Sequence, residues 1–381
     1  MPVSNTSSIA IIGGGIGGLT TALCLEQVGL TNYRVYERAP EFREVGAAIS
    51  VWPNALRVYK ALGLLDALRP HWGEIQRGYI KSASGNILGQ AKPDYELPTV
   101  CMHRAHLHGV LVEQLPAEKL ITDHELTDIE IGDEEATLHF RGQDPLTADL
   151  VIGADGINSV VRQAIIGDGA PIYRGYNCWR GIATLPGAPT GYSSETWGPG
   201  ARVGIVPIKD GQYGWWATYN EPADTNDGPE GALAKLKRIF GTWHDPVPDL
   251  FDNSGDILKN PLGDRVPTRG WSQGPVVLMG DAAHPTTPNL GQGACMAIEG
   301  AYVLAQCMQK HDRLSDAFAR YEDLHYPRSA QVVKQSLRMG KMGQIEHPVG
   351  IALRNTFIGL TPDKVSMRML DRYFGYDVTA R

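Results

Sequence analysis

Three glycine-centred groups of residues stand in a fixed order along the chain, and the first has types and spacing suited to holding a phosphate-bearing dinucleotide. The first is Gly13-Gly14-Gly15-Ile16-Gly17-Gly18, directly behind the apolar run Ile9 to Ile12. A diphosphate binds best where unpaired amides and the helix dipole point at it, at a helix N-terminus. In such a site Gly13 permits the tight turn, Gly15 lets the phosphate approach the backbone, and Gly18 lets helix and strand pack closely. Glu37 follows, about 20 residues beyond Gly18, where a carboxylate accepts hydrogen bonds from ribose hydroxyls and repels a 2′-phosphate. That favours FAD or NAD over NADP at this position. The second group runs from Gly153-Ala154-Asp155-Gly156 to Ser159 and Arg162. The third is Gly280-Asp281-Ala282-Ala283-His284-Pro285, followed by Pro288 and Gly291-Gln292-Gly293.

The elements that must position these groups are readable from periodicity. Ile9 to Ile12 suits a buried parallel strand. Leu19, Ala22, Leu23 and Leu25 then mark a helix that Gly29 stops, and Arg34 to Glu37 reads as the second strand of a β-α-β unit. An amphipathic helix is expected over 55–68, helical character around 107–115, a strand pair within 124–141, and an apolar strand at 148–152 leading into the Asp155 group. Residues 171–270 are rich in Tyr, Trp, Pro and Gly and alternate as antiparallel strands do. The chain returns to a buried strand at Val276 to Met279, and helices are expected from Gly293 past Gln306 and through 313–343.

Together the motifs resemble the single-component FAD-dependent aromatic hydroxylases, the flavoprotein monooxygenases, over most of the chain. The resemblance implies an α/β fold: a Rossmann-like FAD-binding domain, an interleaved substrate domain on a mostly antiparallel β-sheet, and C-terminal helices. The expected division is 1–72, 101–170 and 271–340 for FAD, 73–100 and 171–270 for substrate, and 341–381 as a C-terminal helical segment. In that family the Asp matching Asp281 binds the FAD ribityl chain. Gly291, Gln292 and Gly293 present backbone N–H groups to the flavin edge that gathers negative charge, and Pro288 borders the ring where oxygen adds. Arg104 matches an arginine that reaches the FAD diphosphate or ribose. Ala48, in the loop starting at Gly46, lies beside the cofactor. Arg43 either does similar work or is a solvated surface charge. Asp155 belongs to a fingerprint serving FAD and NAD(P)H; its companion Arg162 either joins in, caps a helix or pairs with a carboxylate. No second glycine-rich β-α-β unit is present, so NADH or NADPH is expected as a visiting co-substrate beside non-covalent FAD.

The resemblance implies reduction of FAD by NAD(P)H, addition of O2 as a flavin C4a-hydroperoxide, and hydroxylation of a small aromatic or heteroaromatic substrate. His284 is a weak candidate for a base. Trp197, Arg202, Tyr213, Trp215 and Trp216 supply aromatic walls and one cation for the pocket, although strand alternation lets only about half face inward. Arg202 either steadies an anionic substrate or makes a fold-internal salt bridge. Gly46 to Asn54 and Thr286-Thr287-Pro288 are similar to the branch of urate hydroxylases and salicylate hydroxylase-like enzymes. Asn289 stands where the urate enzymes carry Asp, and Gly214 where they carry Tyr, so urate itself is not the expected substrate. Rival readings are an epoxidase of isoprenoid or alkaloid-type substrates and a non-enzymatic flavoprotein-like scaffold. A flavin halogenase would carry a Trp-x-Trp-x-Ile-Pro segment, which the sequence lacks.

Composition bounds the rest. With 381 residues, 43% hydrophobic and 20% charged, the chain has the make-up of a globular protein. Its net charge of −7 disfavours nucleic acid. No run of about 18 apolar residues marks a membrane span, and no membrane partner is expected. Five scattered cysteines without a Cys-x-x-Cys pair fit reduced thiols in a cytoplasmic monomer or homodimer. His103, His106 and His108 lie close in sequence, but their spacing places only the first two on one helix face, and no metal site is expected.

Overall fold

The computed structural model describes residues 6–42, 47–185, 187 and 190–380. Ile9–Ile12, buried at every position, pairs in parallel with Tyr33–Tyr36 on one side and Leu150–Gly153 on the other. Val276–Leu278 joins in parallel beyond Leu150–Gly153. With Leu120–Ile121 and the antiparallel edge strand Ser272–Gln273 they form a six-stranded sheet. Ile9–Ile12, Leu150–Gly153 and Val276–Leu278 are short apolar runs buried throughout, as a sheet covered on both faces requires. The helix Ile16–Gln27 packs on the helix Gly293–Lys310, and an added Cβ on Gly17 would meet Met279 and Ala297.

A seven-stranded sheet is the second layer. Its spatial order is Leu258–Asp264, Ile172–Thr184, Gln212–Asn220, Ala201–Pro207, Tyr192–Gly198, Arg77–Ser82 and Ile87–Ala91. Neighbouring pairs are antiparallel apart from Tyr192–Gly198 with Arg77–Ser82. One face is closed by the helices Gly231–Phe240 and Val247–Asp252, which share a core with Trp179, Val203, Tyr213, Trp215 and Ala217. The other face looks toward the strand Ala48–Val51, which sits in a small sheet with Thr99–His103 and Trp72–Ile75.

The helix expected over 55–68 is two pieces, Pro53–Ala61 and Leu65–Leu68, because Gly63 sits at φ +73° between them. The strand expected at 148–152 is likewise split into Leu146–Ala148 and Leu150–Gly153; the first belongs to a separate three-stranded sheet with Ala136–Phe140 and Leu126–Ile131. The chain ends in helices Leu314–Gly343, Pro348–Leu360 and Asp363–Phe374. Among the described residues no helix is long and apolar enough to cross a membrane.

Candidate functional site

The three motifs emerge from the carboxyl ends of three adjacent parallel strands, where an open α/β sheet offers a crevice. Ile12 is in register with Gly153, and Gly153 with Leu278. The Gly13 turn lies directly on the second motif: at φ +109°, a Cβ there would come within 2.4 Å of the Ala154 carbonyl oxygen. Gly18 is as constrained, since its Cβ would lie 1.9 Å from the Gly13 oxygen. Behind that turn the helix Ile16–Gln27 begins at Gly15 with no side-chain cap and no acidic residue in its first turn. Such a terminus leaves amides and positive dipole for an anion.

Glu37 turns back into this loop. Its carboxylate accepts hydrogen bonds from the Gly14 amide at 2.8 Å and the Ala39 amide at 3.0 Å, while His108 Nε2 bonds the Gly14 carbonyl at 2.8 Å. His103 instead caps its own helix, Arg104–Glu113, through the Ala105 amide. Among the described residues no group of His, Cys, Asp and Glu is placed to hold a metal.

Asp155 Oδ2 accepts hydrogen bonds from the Val160 and Val161 amides at 2.7 and 3.3 Å, so it caps the short helix after the second motif. Its Oδ1 is buried without a hydrogen-bond partner, and burial raises its pKa. Arg162 resolves the alternatives left by the sequence: it pairs with Asp168 at 2.6 Å and donates to the carbonyls of Ala282 and Ala283 at 2.8 and 2.9 Å. The second motif thereby holds the loop of the third.

On that third loop the neighbours of Asp281 are buried while its own side chain is open to the crevice. Protein surrounds it closely enough that desolvation pushes its pKa up to about 6, against the opposing charge of Arg104. Arg104 is tied in turn to the Ala47–Ala48 segment, its amide donating to the Ala47 carbonyl at 3.2 Å. Pro288 is exposed as well. Gly291 adopts φ +60° and its own N–H returns to the Pro288 carbonyl, so it is not among the amides offered outward. The helix Gly293–Lys310 begins at Gln292 without a side-chain cap.

The Gln292 side chain points away from the crevice into a buried polar network. Its Oε1 accepts from Asn54 at 2.9 Å, and Arg328 pairs with Glu299 at 3.0 Å while donating to the Tyr373 carbonyl at 2.7 Å. Trp52 lies against Gly291 and stacks on Phe374 with centroids 3.7 Å apart. Trp52 and Asn54 belong to the Gly46 to Asn54 segment that carries the branch resemblance, whereas Glu299 and Arg328 stand in no motif. Gln292 Nε2, Asn54 Oδ1 and Trp52 Nε1 are buried polar atoms without hydrogen-bond partners.

Several expected site residues stand elsewhere. His284 is buried in an aromatic enclosure with Trp271, Tyr321 and His325, its Nε2 lying 3.1 Å from His325 Nε2. Burial lowers its pKa to about 4, so it is a neutral core group, not a base facing the crevice. Tyr213 and Trp215 are on the wrong face of the sheet, in the core under the two covering helices, and Trp215 Nε1 donates to Ser254 at 2.6 Å. The alternation of strand side chains puts Gly214 and Trp216 on the inner face instead. There a Cβ on Gly214 would lie 2.0 Å from Ala48 Cβ, and the Trp216 ring occupies the space above Gly204. Two glycines inside neighbouring strands were the available clue to that open face. Arg43 and Gly46 lie outside the described residues.

Arg202 is 2% exposed, and each of its three nitrogens is bonded within the protein. Nε donates to Gln344 at 2.9 Å, Nη1 to Glu195 at 3.0 Å, and Nη2 to Asn289 at 2.6 Å. The internal salt bridge is thus what the structure contains, and Arg202 does not serve as the pocket's open cation. Asn289 spends its amide on the Tyr176 hydroxyl, Thr287 Oγ1 and the Ser336 carbonyl. Tyr176, not singled out by the sequence, completes this cluster beneath the Pro288 loop.

These features fit FAD. The glycine cradle excludes side chains where a diphosphate would lie, two uncapped helices supply amides, and the Asp281 carboxylate faces open space among buried neighbours. Comparison with known proteins gives the same cofactor. Residues 6–336 match the FAD binding domain family. The aurachin C monooxygenase/isomerase of Stigmatella aurantiaca is 36% identical, covering 95% of this chain and 96% of that one. The 6-hydroxynicotinate 3-monooxygenase of Pseudomonas fluorescens is 32% identical over 88% and 91%. Klebsiella pneumoniae HpxO, solved with FAD and uric acid, superposes with a TM-score of 0.87 at 25% identity, covering 97% of each chain.

Proposed function

The chain belongs to the FAD binding domain family and is an FAD-dependent aromatic monooxygenase, and from this premise we propose that it uses NADH or NADPH and O2 to hydroxylate a small aromatic or heteroaromatic ring. The observation that carries this reading is the convergence of the three motifs on one crevice roofed by the inner face of the seven-stranded sheet. Bound FAD supplies electron transfer from the nicotinamide and activation of oxygen, chemistry that no side chain can perform.

The chain's own residues do the holding. Gly13, Gly15 and Gly18 shape the diphosphate turn, and Glu37 braces it at the adenosine end. Arg104 and Asp281 flank the ribityl region, with Asp155 fixing the neighbouring loop through its helix cap. The amides of Gln292 and Gly293, at the head of an uncapped helix, stabilise negative charge on the flavin edge. Pro288, Ala48 and Trp216 wall the space where a ring would lie, excluding water from the reaction. Arg202 acts as a positioning residue, holding Asn289 and through it the Pro288 loop. The names of the relatives support rings of the hydroxypyridine and purine type as first substrates to try.

The test is reconstitution of purified protein with FAD, followed by NADH and NADPH oxidation and O2 uptake with phenols, hydroxypyridines and purines. Substrate-stimulated oxidation coupled to a hydroxylated product supports the proposal. Oxidation that no ring stimulates, with all the oxygen recovered as peroxide, defeats it.

A further inference from the structure

The C-terminal helices carry an apolar surface that none of the described residues covers. Ten large hydrophobic side chains are exposed among the described residues, and six of them fall between positions 349 and 369. On the helix Pro348–Leu360, Val349, Leu353, Phe357 and Leu360 are 60, 68, 64 and 78% exposed. At about 100° per residue these four lie within about 80° of arc, one continuous outward stripe. The inward side of the same helix is fixed. Arg354 is buried, donates to the Gly343 carbonyl and stacks on Trp197, and Ile358 rests on Gly89. The stripe is therefore held facing solvent.

Beside it, where the helix Asp363–Phe374 meets the sheet edge, a groove of about 440 Å³ is lined by Arg77, Lys92, Lys364 and Arg368, with Asp363 the one acidic member. This is a cationic margin on a chain whose net charge is −7. An apolar helix face bordered by cations fits the boundary of an anionic bilayer, where the apolar side chains enter the acyl region and the cations meet phosphates. A second copy of the chain accounts for the stripe alone, whereas an anionic bilayer engages both the stripe and its cationic margin.

We propose that this C-terminal surface docks the enzyme peripherally on anionic membranes, with Val349, Leu353, Phe357 and Leu360 inserted and Lys364 and Arg368 at the headgroups. The same segment ends at Phe374, stacked on Trp52 behind the Gly291 turn, which joins the C-terminal helices to the candidate flavin site. The proposal stands apart from the identity of the substrate.

Co-sedimentation of the holoenzyme with vesicles tests it. With about one-third phosphatidylglycerol in phosphatidylcholine, the bound fraction should exceed that on phosphatidylcholine alone by tenfold or more, and should fall in high salt. The double variant Leu353→Asp/Phe357→Asp should lose at least tenfold in binding, and Lys364→Glu/Arg368→Glu should abolish the preference for anionic lipid. Both should keep their flavin content and melting temperature. Equal binding to both vesicle types, or none to either, overturns the proposal. So does a stripe variant whose only change is from dimer to monomer in light scattering.

Discussion

The crevice at the end of the parallel sheet and the inner face of the antiparallel sheet meet over the same space, yet they encode their parts of the site in different ways. At the crevice the constraint falls on the backbone. Gly13 and Gly18 have no room for a Cβ, and their spacing is fixed by one turn and one helix. On the sheet face the constraint falls on side chains, and a one-residue difference sends a residue to the opposite layer. Trp215 and Trp216 are neighbours in sequence; one is core and the other is pocket wall.

The largest effect should come from breaking the backbone constraint. Gly18→Ala sets a methyl 1.9 Å from the Gly13 oxygen, so the turn must open. We expect protein without bound flavin, seen as loss of the visible flavin absorbance after reconstitution. Near-normal FAD retention would remove the glycine turn from the cofactor site.

The paired tryptophans sharpen the other half of the comparison. Trp215→Ala leaves a cavity in the core beneath the helices and should cost about 3–5 kcal/mol of stability, read from urea unfolding. Trp216→Ala, on a partly buried side chain, should cost less while raising KM or uncoupling substrate-stimulated oxidation. If the two variants exchange these phenotypes, the inner and outer faces are assigned the wrong way round.

Much of the fold was legible because short apolar strands bounded by glycine motifs admit few arrangements. The parallel pairing of Ile9–Ile12 with Tyr33–Tyr36 and the return of the chain at Val276 follow from that pattern. What escaped was set by long-range packing. His284 sits in a motif, and nothing local says that its ring turns inward to meet His325. Arg202 was readable as a buried cation, but its partners Glu195, Asn289 and Gln344 come from three separate segments. The Arg328–Glu299 pair left no spacing signal, because its two helices meet only in the folded chain.

Asp281 belongs to the crevice, but its role rests on a side chain, so it joins the two kinds of encoding. Replacing it with Ala removes a charged acceptor for hydroxyl groups, a contact worth about 1.5–3 kcal/mol. FAD affinity should fall by about ten- to hundredfold, measured by flavin fluorescence titration, while the apoprotein becomes no less stable. A variant that loses stability and keeps its FAD affinity would make Asp281 a structural residue only.

The smallest effect is a dependence on pH that isolates the same carboxylate. Desolvation raises its pKa to about 6, above the value of about 4 for an unfolded chain. Above pH 6 the folded apoprotein holds a charge that the unfolded state solvates better, so this residue opposes folding. As pH falls from 6 toward 4 the group protonates in the folded state first, and the opposition fades. His284 and His325, whose pKa values burial lowers, act in the contrary direction, with stability lost as the unfolded histidines gain protons below about pH 6.5. Comparing apo wild type with Asp281→Asn cancels that contribution. The variant should be the more stable at pH 7.5, and the gap in urea midpoint should narrow by pH 5. FAD affinity should shift the other way, because ribityl hydroxyls that donate to Asp281 favour its ionised form: wild-type binding weakens below pH 6, and Asp281→Asn binding stays flat. A stability gap that is constant across this range would mean that Asp281 is solvated as an ordinary surface carboxylate, not a charge poised for the cofactor.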